Sequence, residues 1–78
     1  MKVLTLCDIN PGQRAIIEKI TSNSALKNRL LDFGFVKETL IECVGISPLG
    51  DPKAFCARGS VIALRSEDCS NIIIKLLN

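Results

Sequence analysis

The side chains of this sequence best equipped for covalent or metal chemistry are four cysteines, Cys7, Cys43, Cys56 and Cys69, and eight Asp and Glu carboxylates. A thiolate can attack an electrophile or bind a soft metal ion, and paired carboxylates can act as acid and base. The chain has no histidine, so no cysteine or serine has an imidazole base to take its proton. Carboxylates such as Glu42 and Asp51 read as solvated surface acids. Without imidazole or a Cys-x-x-Cys pair, no residue is assigned as a metal ligand. No cofactor is required, although weak Fe(II) or other transition-metal binding by cysteine and carboxylate stays open. Cys43 and Cys56 fall in strand-like runs, where a thiol behaves as a small apolar group, and all four thiols are expected to be free.

Gly45-Ile46-Ser47-Pro48-Leu49-Gly50 has the glycine spacing of a phosphate-binding loop. Such a loop continues with Lys and Ser or Thr, whereas Asp51 and Pro52 stand here. Asp51 would repel a phosphate and Pro52 removes an amide donor, so nucleotide binding is excluded. A catalytic role is not expected. The three aromatic residues, Phe33, Phe35 and Phe55, are too few to line a proline-peptide groove or stack nucleotides. The net charge of +2 is small and its basic residues form no run, which argues against nucleic acid and anionic membrane. Asp8 interrupts the apolar start too early for a signal peptide, and no stretch nears the ~18 apolar residues of a spanning helix. The expected compartment is the cytoplasm, with no membrane insertion.

These groups must be held by a chain of 78 residues, enough for one domain over residues 1–78. Pro11-Gly12 marks a turn. Residues 13–21 read as a strand with Ala15 and Ile17 on one face and Ile16 and Glu18 on the other. Ser24 can cap a helix over residues 25–33, whose stripe is Leu26, Leu30 and Phe33. Gly34 suits a left-handed helix end, with Phe35 packing back on Leu30. Residues 39–46 form a second strand, with Ile41 and Cys43 on one face and a bulge near Val44-Gly45. A loop bracketed by two prolines covers 47–52. Two short strands, 53–58 and 60–65, join around Gly59. The second is apolar throughout, which allows cover on both faces. Ser66 can cap a helical turn, and the β-branched Ile72-Ile73-Ile74 closes the chain as a strand. Turn signals every 8–12 residues favour a small, mainly β barrel with one inserted short α-helix.

Four segments also resemble one family. Ile9-Asn10-Pro11-Gly12-Gln13-Arg14-Ala15-Ile16-Ile17 resembles the opening "L-x-P-G-x-x-A-x-V" of FeoA proteins. Arg29-Leu30-Leu31-Asp32-Phe33-Gly34-Phe35 resembles their "R-L-x-x-M-G-hydrophobic" helix ending. Ser47-Pro48-Leu49-Gly50-Asp51-Pro52 resembles "A-P-L-G-D-P", and Arg58-Gly59-Ser60-Val61-Ile62-Ala63-Leu64-Arg65 resembles "R-G-x-x-I-A-L-R". The order and spacing match over nearly the whole chain. Phe33 stands where Met is usual. Lys37-Glu38 stand where Pro-Gly is usual, and Glu disfavours the left-handed turn that Gly would allow.

The resemblance implies an SH3-like β-barrel of five or six strands. It implies a non-enzymatic accessory protein of bacterial ferrous-iron uptake that binds and modulates a FeoB-type GTPase-linked membrane transporter from its cytoplasmic side. The alternative is a stand-alone transition-metal-responsive binding domain, related to the C-terminal domain of metal-dependent repressors. No helix-turn-helix is present, so a complete repressor is excluded. The residues expected to meet the partner are Arg29, Pro48, Leu49, Gly50, Asp51, Pro52 and Arg58. Leu49 is apolar at the tip of a stiff loop, and Asp51 offers a charge to a basic partner group. The chain is expected to be a monomer.

Overall fold

The structure is a computed structural model that describes residues 3–21 and 24–77, Ser24 by its backbone alone. The elements are β1 (Leu4–Thr5), a 3₁₀ turn (Leu6–Asp8), β2 (Arg14–Ile20), α1 (Ser24–Asp32), β3 (Leu40–Ile46), β4 (Lys53–Ala57), β5 (Ser60–Leu64), α2 (Ser66–Cys69) and β6 (Ile72–Leu76). The six strands form one antiparallel sheet in the order β1-β6-β2-β3-β4-β5. Inward residues from across the sheet, from Leu64 of the edge strand β5 to Ile74 of β6, next to the other edge, join one core with Ile17, Ile41 and Phe55. The sheet therefore curls around its own apolar face, as a small barrel must to bury that face. The last strand in the chain is not at an edge: β6 lies between β1 and β2.

Strand alternation follows the sequence pattern with one departure. Ala15 and Ile17 of β2 and Ile41 and Cys43 of β3 are buried, while Leu40 and Val44 face outward. The β3 register shifts between Cys43 and Gly45, at the expected bulge. A second shift, between Ile17 and Lys19 of β2, has no glycine to announce it. It leaves Glu18 and Lys19 both exposed and moves the inward phase to Ile20, which pairs with the buried Ile72. On β5 only one face is covered: Val61 and Ala63 point outward and are exposed, like Leu40 and Val44 on β3.

The end of α1 shows how locally coded geometry sets packing. The Phe35 N–H donates to the Leu30 carbonyl and the Gly34 N–H to the Leu31 carbonyl, both at 2.9 Å, with Gly34 at φ +82°. This is the Schellman ending that the sequence predicts. It also overturns the expected helix stripe. The chain reverses at Gly34, so Phe35 turns into the core beside Leu30, whereas Phe33 stays 42% exposed. Leu26 packs at the core margin. Ser24 opens α1, and the side chain expected to cap it lies outside what is described.

Outside the end of α1 and the 47–52 loop, three turns depend on positive φ. Asn10–Gln13 closes through Gln13 N–H to Asn10 C=O at 3.0 Å, with Gly12 at φ +93°. The β4–β5 hairpin turns on Arg58 (φ +52°) and Gly59 (φ +79°), the twisted two-residue form that matches strand twist. Glu38 adopts φ +70°, so the left-handed turn forms there although Glu disfavours it. Two bonds hold it: Glu38 N–H to Ile17 C=O at 2.6 Å and Thr39 N–H to Val36 C=O at 3.1 Å. Tertiary pairing with β2 thus outweighs a local penalty of about 1–2 kcal/mol.

Candidate interaction face at the 47–52 loop

The loop between β3 and β4 is closed by its own hydrogen bonds. The Gly50 N–H donates to the Ser47 carbonyl at 2.8 Å, and the Ser47 N–H donates to the Pro52 carbonyl at 3.1 Å. The Ser47 hydroxyl donates to the Asp51 carbonyl at 2.8 Å and accepts from the Leu49 N–H at 3.3 Å. The Asp51–Pro52 peptide is cis and Gly50 lies at φ +88°. With its polar groups engaged internally, the loop presents Leu49 at 94% exposure. At that exposure Leu49 is not folded back onto the barrel rim.

Asp51 does not stand free beside it. Its Oδ1 accepts the Ser66 N–H at 2.8 Å, so it caps α2 from across the fold. Arg65, at the N-cap position, makes no side-chain cap bond. Ser66 is the first helical residue, correcting its expected role as the cap. Farther along α2, Asp68 Oδ2 lies 3.9 Å from Nη2 of Arg29 on α1. Both side chains are partly solvated, so this pair contributes under about 1 kcal/mol. The loop and Arg29 thus both meet α2, the first at its start and the second near its end. Arg58 lies against the end of α1: its methylenes cover Gly34, where an added Cβ would lie 2.8 Å from Arg58 Cδ. Pro48 is exposed and Pro52 half-buried.

Lys53 is a positioning residue that the sequence did not reveal. Its ammonium donates to the carbonyls of Cys7 (2.8 Å) and Ile9 (3.0 Å), tying β4 and the loop's end to the N-terminal turn. A lysine opening a strand carries no local sign of such a partner. Lys53, Asp51, Cys7 and Cys69 line a cavity of about 80 Å³. Burial, with Cys7 nearby, pushes the Cys69 thiol up to about 12, against the lowering effect of Lys53. All four cysteines are free thiols. Among the described residues no group of three or more Cys, Asp or Glu side chains gathers to hold a metal ion. A larger concavity, about 700 Å³, is an open groove on the outside of the sheet, with Val3, Ile16 and Ile73 between Lys and Glu side chains.

A family model described as the FeoA domain matches residues 4–76. The chain belongs to the FeoA family. A Campylobacter jejuni relative carrying the name putative Fe(2+) transport protein A is 32% identical over 74 residues, covering 95% of this chain and 100% of that protein. A Porphyromonas gingivalis Fe(2+) transport protein A/Fe(2+) transporter FeoB fusion protein is 28% identical over 75 residues. That match covers 96% of this chain but 9% of the fusion. The solution structure of FeoA from Chlorobium tepidum superposes with a TM-score of 0.91 at 25% identity, over 96% of this chain and 71% of that one. FeoA of Stenotrophomonas maltophilia, solved with zinc and described as an SH3-domain protein, gives 0.80 at 25% identity, over 92% and 89%. The fold is therefore the SH3-like barrel of FeoA proteins, and the family is linked to Fe(2+) transport. Among the described residues no helix is long and apolar enough to cross a membrane.

Proposed function

We propose that this FeoA chain is a non-enzymatic, monomeric, cytoplasmic accessory of ferrous-iron uptake that docks on a FeoB-type transporter and modulates it. The observation that carries the reading is Leu49, 94% exposed on a loop braced by its own bonds and by α2. A leucine held in water on a preorganised loop loses little entropy on entering an apolar pocket. Pro48, Gly50 and Pro52 shape that loop. Asp51 keeps one carboxylate oxygen for a basic partner group, and Arg29 and Arg58 extend the face along α1. The fused relative, with FeoA and FeoB named in one chain, supports association between the two. No cofactor is needed, and any Fe(II) binding by this chain is weak.

The test is binding of the purified chain to a detergent-solubilised FeoB-type transporter, with GTP turnover measured in parallel. Leu49→Glu should melt within about 0.5 kcal/mol of the parent, as an exposed substitution does, yet lose binding and any effect on turnover. Normal binding by a folded Leu49→Glu variant overturns this face. Failure of the parent chain to bind overturns the function.

A further inference from the structure

Cys7 and Cys69 come from opposite ends of the chain and are brought together by the fold. The 3₁₀ turn carrying Cys7 packs against α2, which ends at Cys69. The Cys7 thiol donates to the Ser66 carbonyl at 3.3 Å, one helical turn before Cys69. Both thiols line the cavity of about 80 Å³, which has room for a molecule the size of hydrogen peroxide. The other two thiols cannot pair in this way. Cys43 points into the core from β3, while Cys56 lies on the opposite face of β4, register partner of Glu42.

We propose that Cys7 and Cys69 form a redox-active dithiol that a hydroperoxide converts into an intramolecular disulfide. The two sulfurs have different parts. Cys69 is 1% exposed and its neutral thiol is favoured, so it does not start the reaction. Cys7 is half-buried and reaches the cavity. Its thiolate attacks one peroxide oxygen, the O–O bond breaks, and hydroxide leaves with the thiol proton as water. Cys69 sulfur then attacks the sulfenic sulfur of Cys7. The S–O bond breaks, hydroxide takes the Cys69 proton, and a second water leaves. The two thiols lose two electrons in total and the peroxide gains them. The Lys53 ammonium lines the same cavity, beside Asp51, and is held there by two carbonyls, within the space where the leaving hydroxide departs. The new bond would join the N-terminal turn to α2, the two elements that brace the 47–52 loop through Lys53 and Asp51.

The experiment treats the reduced full chain with hydrogen peroxide, alkylates it under denaturing conditions, and maps the thiols by mass spectrometry. The product should be lighter by two hydrogens before alkylation, with Cys7 joined to Cys69, Cys43 and Cys56 alkylated, and full reversal by dithiothreitol. Cys7→Ser should slow thiol loss at Cys69 by roughly tenfold or more. Cys69→Ser should leave a sulfenic acid on Cys7 that dimedone traps. Sulfinic acid on Cys7 of the parent chain without a crosslink, or a crosslink through Cys43 or Cys56, overturns the proposal. If a serine variant fails to fold, the crosslink map of the parent chain alone decides between these outcomes.

Discussion

The Asp51 carboxylate receives the N–H of Ser66 at 2.8 Å, so the loop between β3 and β4 supplies the cap for the short helix before β6. A four-residue helix cannot sustain itself, since nucleation is unfavourable at that length. Its first amide is satisfied only because the loop reaches it. The same contact holds the loop's base, leaving Leu49 to project. One hydrogen bond thus couples the shape of the exposed tip to the position of α2, and through Asp68 to Arg29 on α1.

Asp51→Ala is therefore expected to destabilise the chain by about 0.5–2 kcal/mol, the usual loss for a cap. Asp51→Asn should lose less, because an amide oxygen still accepts. Urea denaturation of the three proteins measures this. Equal stability for all three would mean that Ser66 finds another acceptor.

The two phenylalanines that flank Gly34 should differ sharply. Phe35 is fully buried, and Phe35→Ala should remove about 3–5 kcal/mol. Phe33 is 42% exposed, and Phe33→Ala should cost under about 1 kcal/mol. Leu30→Ala, at a buried position of α1, belongs with Phe35 at about 2–5 kcal/mol. Paired denaturation curves decide the order. A costlier truncation at Phe33 than at Phe35 would contradict the chain reversal at Gly34.

Glu38 carries a local penalty at φ +70°, so Glu38→Gly should stabilise the fold by up to about 1 kcal/mol. For a domain of this size that raises the melting temperature by roughly 4–8 °C per kcal/mol. A lower melting temperature would show that the Glu38 side chain contributes more than its backbone loses.

Cys69 makes stability depend on alkaline pH. Its thiol rises from 9.0 to about 12 on folding, so the folded chain holds a proton that the unfolded chain releases. Stability is then unaffected by this group below about pH 9 and declines as pH climbs toward 12, by under about 4 kcal/mol. Cys69→Ala should flatten that decline. Urea midpoints taken from pH 8 to 11 give the slope.

Much of this protein is written in local sequence. Strand alternation set the inward faces of β2 and β3 because side chains alternate every residue along a strand. Gly34 with Phe35 spelled the end of α1, since only a left-handed residue allows the two bonds back to Leu30 and Leu31. The four FeoA-like segments carried the family in their order alone. What depends on distant partners was not legible there. The left-handed Glu38 is held by Ile17, the bulge at Glu18 brings Ile20 onto Ile72, and α2 takes its cap from Asp51. Lys53 and Cys7, and Cys7 and Cys69, become neighbours only once the N-terminal turn meets α2 and β4. Local rules see a residue's own backbone preference and its near neighbours. Long-range hydrogen bonds and burial override that preference where they contribute more free energy, and only the closed barrel brings such partners within reach.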